Sequence, residues 1–282
     1  MNGKYNKYEI DYYREPFSKF IFANMILKYK NSNIHYTIEG EGEVVILLHG
    51  FLENVEMWNN LVPILSKNHL VISIDLLGHG KTECIGYLHT MEAMADAVFA
   101  VIKHLNVEKA HVVGHSMGGY AALALAEKQP QLFKGLCLMN STFEADDEER
   151  KALRTRANKM AQNNLDAIIR MSFANLFAPA SKQKFSTAYN TALKLALQTS
   201  LQGYIAAQEG MKLRPDRFEI YNKLNCNRLI IIGKKDSVID GERLKSLIKD
   251  SNIPYKVLSE GHMSHIENIS ELAYILNHFI EN

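Results

Sequence analysis

The chain has 282 residues, of which 47% are hydrophobic and 22% are charged, so it is long enough to bury a sizeable core. Its formal net charge of +1 excludes the strongly basic surface that nucleic-acid binding requires. Three widely spaced cysteines without a CxxC pair argue against a disulfide framework or a zinc site, and they favour a reduced, cytoplasmic protein.

Residues 1–24 are predicted to be an N-terminal extension. They are rich in Tyr, Lys and Asn, and we expect a weakly ordered terminus. The apolar stretch at 17–27 is interrupted by Lys19 and Asn24, so it is not expected to act as a signal sequence. No stretch of the chain approaches the roughly 18 apolar residues that a membrane span needs.

From residue 25 onward, strand patterns alternate with helix patterns. Alternating apolar residues predict a hairpin at 25–38, and continuous apolar runs predict buried strands at 44–48, 70–74, 110–113 and 136–139. Apolar residues at helical spacing predict a helix over 91–105. Because such alternation needs crossover connections, the sequence predicts a mostly parallel central sheet flanked by helices.

The alternation stops after residue 143. Residues 144–213 contain helix formers and no convincing strand, which predicts an all-helical insertion. Strand patterns resume at 228–233 and 255–258, and an amphipathic helix is predicted at 269–280. The predicted core therefore comprises residues 25–143 and 214–282.

A candidate nucleophile lies between a predicted strand and a run of helix formers, in the motif Gly114-His115-Ser116-Met117-Gly118. The two glycines allow neighbouring backbone to pass close to a serine in a strained conformation. The helix that follows directs its unpaired N–H groups at the same place. The motif therefore predicts a nucleophilic Ser116 beside an anion-binding helix terminus.

The later strands supply a base and an acid for this serine. Asp236 follows one predicted strand and His262 follows the next, and the carboxyl ends of parallel strands share one edge of a sheet. A serine hydroxyl needs a base, which a third group orients. Asp240 is an alternative acid, although it lies further from its strand, and His265 is an alternative base.

Together these motifs resemble those of α/β-hydrolase-fold serine hydrolases, from about residue 25 to the C-terminus. The resemblance also rests on His49-Gly50-Phe51, on Asp75-Leu76-Leu77-Gly78-His79-Gly80 and on Gly261-His262-Met263. It implies the chain order Ser116, Asp236, His262 for the catalytic triad. It also implies that residues 144–213 form a helical cap over the site, and it does not cover residues 1–24.

The resemblance implies further roles around the nucleophile. The backbone N–H groups of Phe51 and Met117 would form the oxyanion hole. Gly50 and His115 would contact the substrate, and Asp75 would organise its own loop. The scattered histidines show no metal-ligand pattern such as HExxH, and no cofactor motif is present.

The leading hypothesis is a carboxylesterase that cleaves esters of small to medium apolar acyl groups through an acyl-enzyme on Ser116. Most of the large apolar residues of the insertion are expected to pack, and the rest to line an acyl pocket: Met160, Met171, Phe173, Phe177, Phe185, Tyr189, Tyr204 and Met211. The same triad could instead act in a carbon–carbon hydrolase or lyase, on ring-cleavage products or menaquinone-type intermediates. A receptor-like module that binds a small molecule with little turnover is the alternative outside enzymes. The oligomeric state is left open.

Overall fold

The computed structural model describes residues 23–282, so the predicted extension lies outside the described residues except for its last two positions. Eight strands of this part of the chain form one sheet. They are β1 (Ala23–Tyr29), β2 (Ser32–Glu39), β3 (Glu43–Leu48), β4 (His69–Ile74), β5 (Ala110–His115), β6 (Phe133–Met139), β7 (Asn227–Gly233) and β8 (Tyr255–Leu258).

The sheet is mostly parallel, as predicted. Its strand order is β1-β2-β4-β3-β5-β6-β7-β8. Strand β2 pairs antiparallel with both β1 and β4, whereas the pairs from β4 through β3 to β8 are parallel. The carboxyl ends of the parallel strands therefore meet at one edge of the sheet, where the predicted site residues follow their strands.

Twelve helices of the described chain connect or cover the strands. They are α1 (Val62–Leu65), α2 (Met91–His104), α3 (Met117–Lys128), α4 (Glu148–Ala161), α5 (Leu165–Ala174), α6 (Ser181–Lys184), α7 (Ser186–Ala196), α8 (Leu201–Leu213), α9 (Phe218–Lys223), α10 (Gly241–Ile248), α11 (Ser264–Glu267) and α12 (Ile269–Glu281). Within residues 23–282, no helix has the length and apolar character needed to cross a bilayer.

Helices cover both faces of the sheet, which explains the unbroken apolar runs of the central strands. In β3, Ile46 and Leu48 pack in one core with residues of α2 and α3. Their neighbours Val45 and Leu47 pack in a second core with residues of α1 and α12. Because successive strand residues point to opposite faces, a strand covered on both sides must be apolar at every position.

The segment between β6 and β7 contains helices α4 to α9 and, among the described residues, no strand. A third apolar cluster joins this segment to the edge of the sheet. It includes Phe173 and Tyr204 from the helices, together with Leu52 and Met263 from the loops that follow β3 and β8. The helices therefore pack directly on the loops that carry the predicted site.

Candidate active site

The turn between β5 and α3 holds Ser116 in a strained conformation, with φ 49° and ψ −115°. A Cβ at Gly118 would lie 2.2 Å from the carbonyl oxygen of Leu48, and a Cβ at Gly114 would lie 2.6 Å from the carbonyl of Gly118. Only glycine fits such close backbone contacts. The structure thus provides the tight strand–turn–helix geometry that the motif predicts.

His262 and Asp236 are in direct contact. The Nδ1–H of His262 donates to Oδ2 of Asp236 at 2.8 Å. The other carboxylate oxygen of Asp236 accepts from the backbone N–H groups of Val238 (2.8 Å) and Ile239 (3.0 Å). The alternative acid, Asp240, instead caps the first turn of α10. The geometry therefore pairs the histidine with Asp236.

The surroundings of Asp236 keep its carboxyl ionised. Burial alone raises its pKa, but the charge and hydrogen bond of His262 and the two backbone N–H groups outweigh burial, and its pKa lies below the ordinary value. With Nδ1 committed to this carboxylate, Nε2 is the ring nitrogen left to exchange a proton.

Asn140 also positions the acid, and the sequence reasoning missed it. Its Nδ2 donates to Oδ2 of Asp236 at 3.1 Å and to the carbonyl of Gly261 at 3.2 Å. Its Oδ1 accepts from the hydroxyl of Ser264 at 2.7 Å. Asn140 follows β6 with a φ of 46°. An asparagine directly after a buried strand was the available signal, since Asn tolerates this conformation better than most residues.

Ser116 and His262 line the same cavity, whose volume is about 100 Å³. The Oγ of Ser116 has no hydrogen-bond partner among residues 23–282, so the serine and the imidazole face one space without being bonded to each other. Catalytic hydrogen bonds are often long or absent without substrate.

Two backbone N–H groups at the site have unused hydrogen-bonding capacity. Within the described residues, neither Phe51 nor Met117 donates its N–H to another group. Met117 is the first residue of α3, where the helix dipole favours an anion, and Phe51 lines the cavity. The N–H of Gly50 is engaged, since it donates to Oε2 of Glu53 at 2.7 Å. Gly50 is not among the residues lining this cavity, so its substrate contact stays a prediction.

A buried ion pair connects the three loops of the site. Oε2 of Glu53 accepts from Nδ1 of His115 at 2.6 Å as well as from Gly50. The Nε2–H of His115 donates to the backbone carbonyl of His262 at 2.9 Å. Glu53 thus connects the loop after β3 to the nucleophile turn, and His115 connects that turn to the histidine loop. Nothing in the sequence distinguishes Glu53 from an exposed loop carboxylate.

The surroundings of this pair favour the charged form of both members. Burial of Glu53 opposes ionisation, but the adjacent His115 lowers its pKa to about 2. Burial of His115 favours the neutral ring, but the charge and hydrogen bond of Glu53 raise its pKa above 6.5. Glu53, His115 and the buried His265 also form a cluster whose ligand atoms lie within 4.8 Å of one another. A metal ion there would have to displace the 2.6 Å hydrogen bond of the ion pair.

His49 and Asp75 hold the loops at this edge in place. His49 donates from Nδ1 to the carbonyl of Gly50 at 2.7 Å and accepts at Nε2 from the N–H of Leu76 at 2.9 Å. Asp75 accepts from three donors, which are the backbone N–H groups of Val55 and Lys81 and the ring of His35. These contacts are structural, and they link the loop after β3 to the loop after β4.

The lining of the cavity combines apolar and charged side chains. Of the eight large apolar residues of the insertion, most of which were expected to pack and the rest to line an acyl pocket, Met211 lines this cavity. The rings of Phe173, Phe177 and Tyr189 instead pack on one another, with centroids 5.1 to 5.8 Å apart. Two arginines of α4, Arg150 and Arg154, line the cavity, and sequence reasoning missed both.

A larger cavity of about 420 Å³ adjoins this one and shares Leu52 and Glu53 with it. Its other lining residues come mainly from α7 and from the loop after β3. A third cavity, of about 670 Å³, lies between the β7–β8 end of the sheet and α12, and it contains none of the predicted site residues.

The profile of a protein family described as "alpha/beta hydrolase fold" matches residues 43–269. Among curated proteins, the chain is 26% identical over 229 residues to 3-oxoadipate enol-lactonase 1 of Acinetobacter baylyi, covering 80% of this chain and 84% of that one. It is 27% identical over 248 residues to 2-hydroxy-6-oxo-6-(2'-aminophenyl)hexa-2,4-dienoic acid hydrolase of Metapseudomonas resinovorans, covering 84% of each.

A solved structure of similar shape is that of a thermophilic esterase from Thermogutta terrifontis with malate bound. It superposes with a TM-score of 0.86 at 25% identity, covering 92% of this chain and 98% of that one. The enol-lactonase of Burkholderia xenovorans superposes with a TM-score of 0.85 at 21% identity. At this sequence identity, the similarity shows only that the two chains share a fold.

Proposed function

The chain belongs to the α/β-hydrolase family, and we propose that it hydrolyses carboxylic esters through an acyl-enzyme intermediate on Ser116. One observation carries the proposal. A strained serine, a histidine bonded to a buried carboxylate and two unused backbone N–H groups converge at one edge of the sheet. This is the set of groups that acyl transfer requires.

In the proposed mechanism, Nε2 of His262 accepts the proton of Ser116 while Oγ attacks the acyl carbon. The N–H groups of Phe51 and Met117 donate to the oxyanion, and each such donor contributes ~3 kcal/mol in the transition state. His262 then protonates the leaving alcohol and deprotonates the water that releases the acid. Asp236 stays ionised throughout and keeps the imidazole in the required tautomer.

The helical segment 144–213 serves as the cap in this proposal, because it packs on the loops around Ser116. Ligand pockets usually measure about 300 to 1,000 Å³, whereas the cavity at Ser116 measures about 100 Å³. The substrate's acyl group is therefore small, or the cap moves to admit a larger one. A serine nucleophile also distinguishes this chain from dehalogenase and epoxide hydrolase branches, which use aspartate.

Carbon–carbon bond hydrolysis by the same groups is the second candidate. It is favoured by the similarity to the hexadienoic acid hydrolase over 84% of the chain. Turnover of a vinylogous diketone, without turnover of simple aryl esters, would favour this candidate. Binding of a small molecule without turnover of either would favour a receptor-like role.

The proposal is tested by labelling with a fluorophosphonate and by turnover of p-nitrophenyl esters. We expect Ser116→Ala to abolish labelling and to lower kcat by about 10⁶, the loss seen when a triad nucleophile is removed. Ser186→Ala, an exposed serine in the first turn of α7, is the matched control and should behave like the wild type. Labelling that persists in Ser116→Ala would refute the assignment of the nucleophile.

A further inference from the structure

Beside the cavity, one carboxylate is shared by two guanidinium groups. Arg154 of α4 contacts Asp146 from Nε at 2.6 Å, and Arg214 contacts it from Nη1 at 2.8 Å. The side chain of Asp146 is 2% exposed, that of Arg214 is 5% exposed and that of Arg154 is 14% exposed. This largely buried cluster therefore carries one negative and two positive charges, and has an excess charge of +1.

The two arginines differ in how much of their hydrogen-bonding capacity is used. Arg214 donates from Nε to the carbonyl of Glu144 and from Nη1 to that of Met211, and its guanidinium lies 4.0 Å above the ring of Tyr120. Arg214 is thus held in place by the protein itself, and it does not line the cavity.

Arg154 retains free donors. A guanidinium has five N–H groups. In Arg154, Nε donates to Oδ2 of Asp146 at 2.6 Å and Nη1 donates to Oε1 of Gln208 at 2.6 Å. Nη2 makes a longer contact with Oδ1 of Asp146, at 3.5 Å. One N–H on each terminal nitrogen therefore has no partner among the described residues. Paired N–H groups on the terminal nitrogens form the fork with which arginine binds a carboxylate in a bidentate manner.

Arg154 lines the same cavity as Ser116 and His262, next to the more exposed Arg150. An excess charge in a largely buried site is unfavourable unless an anion balances it. Glu53 also borders the cavity, but His115 already neutralises it. We propose that Arg154, assisted by Arg150, binds a carboxylate of the substrate, so that the enzyme acts on acyl compounds bearing a free carboxylate close to the scissile bond.

A carboxylate fits this site better than a phosphate. A single negative charge neutralises the excess of +1 in the buried cluster of Asp146, Arg154 and Arg214, whereas a phosphate dianion would also need the charge of Arg150, which is exposed and hydrated. The small cavity also requires the anion to lie within a few atoms of the reacting carbonyl. Monoesters of short dicarboxylic acids meet both conditions. This inference rests on the proposed acyl transfer at Ser116.

The test compares two esters with the same leaving group, mono-4-nitrophenyl glutarate and 4-nitrophenyl valerate. We expect the wild type to prefer the glutarate ester in kcat/KM, and Arg154→Gln to lower the glutarate-to-valerate ratio by about 10-fold or more, the contribution of hydrogen bonds to a charged group. Added salt should lower the wild-type ratio. Lys151→Gln removes the same charge from a half-exposed position on α4 outside the cavity, and should leave the ratio unchanged.

Calorimetric titration of glutarate into Ser116→Ala measures carboxylate binding independently of ester hydrolysis. Binding to this variant that is lost in Arg154→Gln/Ser116→Ala supports the carboxylate site even if the esters are not turned over. Should Arg154→Gln fail to fold, Arg154→Lys keeps a cation beside Asp146 but lacks the fork, and it should also lower the ratio. A wild type that hydrolyses valerate with no preference for glutarate would overturn this inference and leave the proposed function intact.

Discussion

At the scale of single residues, three of the six non-glycine residues with positive φ in the described chain lie around the candidate site. Ser116, Leu52 and Asn140 are non-glycine residues with φ between 46° and 65°, and each follows a strand at the carboxyl edge of the sheet. Such conformations cost of the order of 1–3 kcal/mol each. Neighbouring strands hold them in place: the N–H of Ser116 donates to Met139, and that of Asn140 donates to Ile231. These hydrogen bonds to the sheet thus fix the backbone from which the side chains of Ser116 and Asn140 extend.

The Glu53–His115 pair predicts a specific pH dependence of stability. Glu53 has a lowered pKa, so its contribution is present above about pH 4.5 and is lost as the pH falls toward 2. His115 has a raised pKa, so its contribution is complete below about pH 6.5 and is lost as the pH rises through the raised value. The pair therefore stabilises the fold most between about pH 4.5 and about pH 6.5.

We expect Glu53→Gln to lower the free energy of unfolding by about 3 kcal/mol near pH 6, because it leaves a buried imidazolium without its counter-ion. The loss should be smaller at pH 9, because raising the pH favours the neutral form of His115, which needs no counter-ion. Urea unfolding at both pH values measures the difference. Glu56→Gln, an exposed glutamate in the same loop, is the control. An equal loss at pH 6 and pH 9 would show that the pair is not ionised.

At the scale of secondary-structure elements, helices of the insertion pack on the site loops and line the cavity at Ser116. Helices α5, α7 and α8 contribute to the apolar cluster that also contains Leu52 and Met263 from the site loops. Met211 of α8 reaches the cavity at Ser116. Because the packed helices close this cavity to about 100 Å³, a long acyl chain has to displace them.

Acyl chain length should therefore have a strong effect on turnover. From p-nitrophenyl acetate to the octanoate, we expect kcat/KM to fall by about 10- to 100-fold, since overfilling a packed site costs about 1–3 kcal/mol. Met211→Ala should reduce this fall by enlarging the cavity. Steady-state kinetics on the ester series provide the measurement. If octanoate is hydrolysed as efficiently as acetate, the cap does not restrict the site.

At the scale of the whole molecule, buried carboxylates are concentrated at the functional edge. Glu53, Asp75, Asp146 and Asp236 all have a pKa below the ordinary value, because hydrogen bonds and positive partners outweigh burial. A carboxyl with a lowered pKa stabilises the fold above about pH 4 and loses that contribution as the pH falls through its folded value. The edge that carries the site is thus also sensitive to acid.

We expect Tm to fall steeply below about pH 4, and unfolding at that pH to take up protons. Calorimetric melts between pH 7 and pH 3 measure both quantities. Asp240 is an exposed carboxylate that caps α10, so Asp240→Asn is the control and should change the pH dependence of Tm little. A Tm that does not change between pH 6 and pH 3 would contradict this prediction.

The sequence alone determined the succession of strands and helices along the chain, the mostly parallel sheet and the turn around Ser116, whereas the order of the strands within the sheet came from the structure. These features depend on local rules: the two-residue period of strands, the helical spacing of apolar residues, and glycine where backbone segments pass closely. The positions of Asp236 and His262 after successive strands could be predicted for the same reason, because parallel strands end at one edge.

Only the tertiary structure decided which polar and charged side chains meet. Glu53 contacts His115, which is 62 residues away, and Asn140 contacts Asp236, which is 96 residues away. On α4, both Lys151 and Arg154 are charged, yet only Arg154 lines the cavity. The spacing of charged residues in the sequence does not show which partners they contact, because a helix face exposed to solvent and a face turned toward a site can have the same composition. Their roles depend on packing between distant segments.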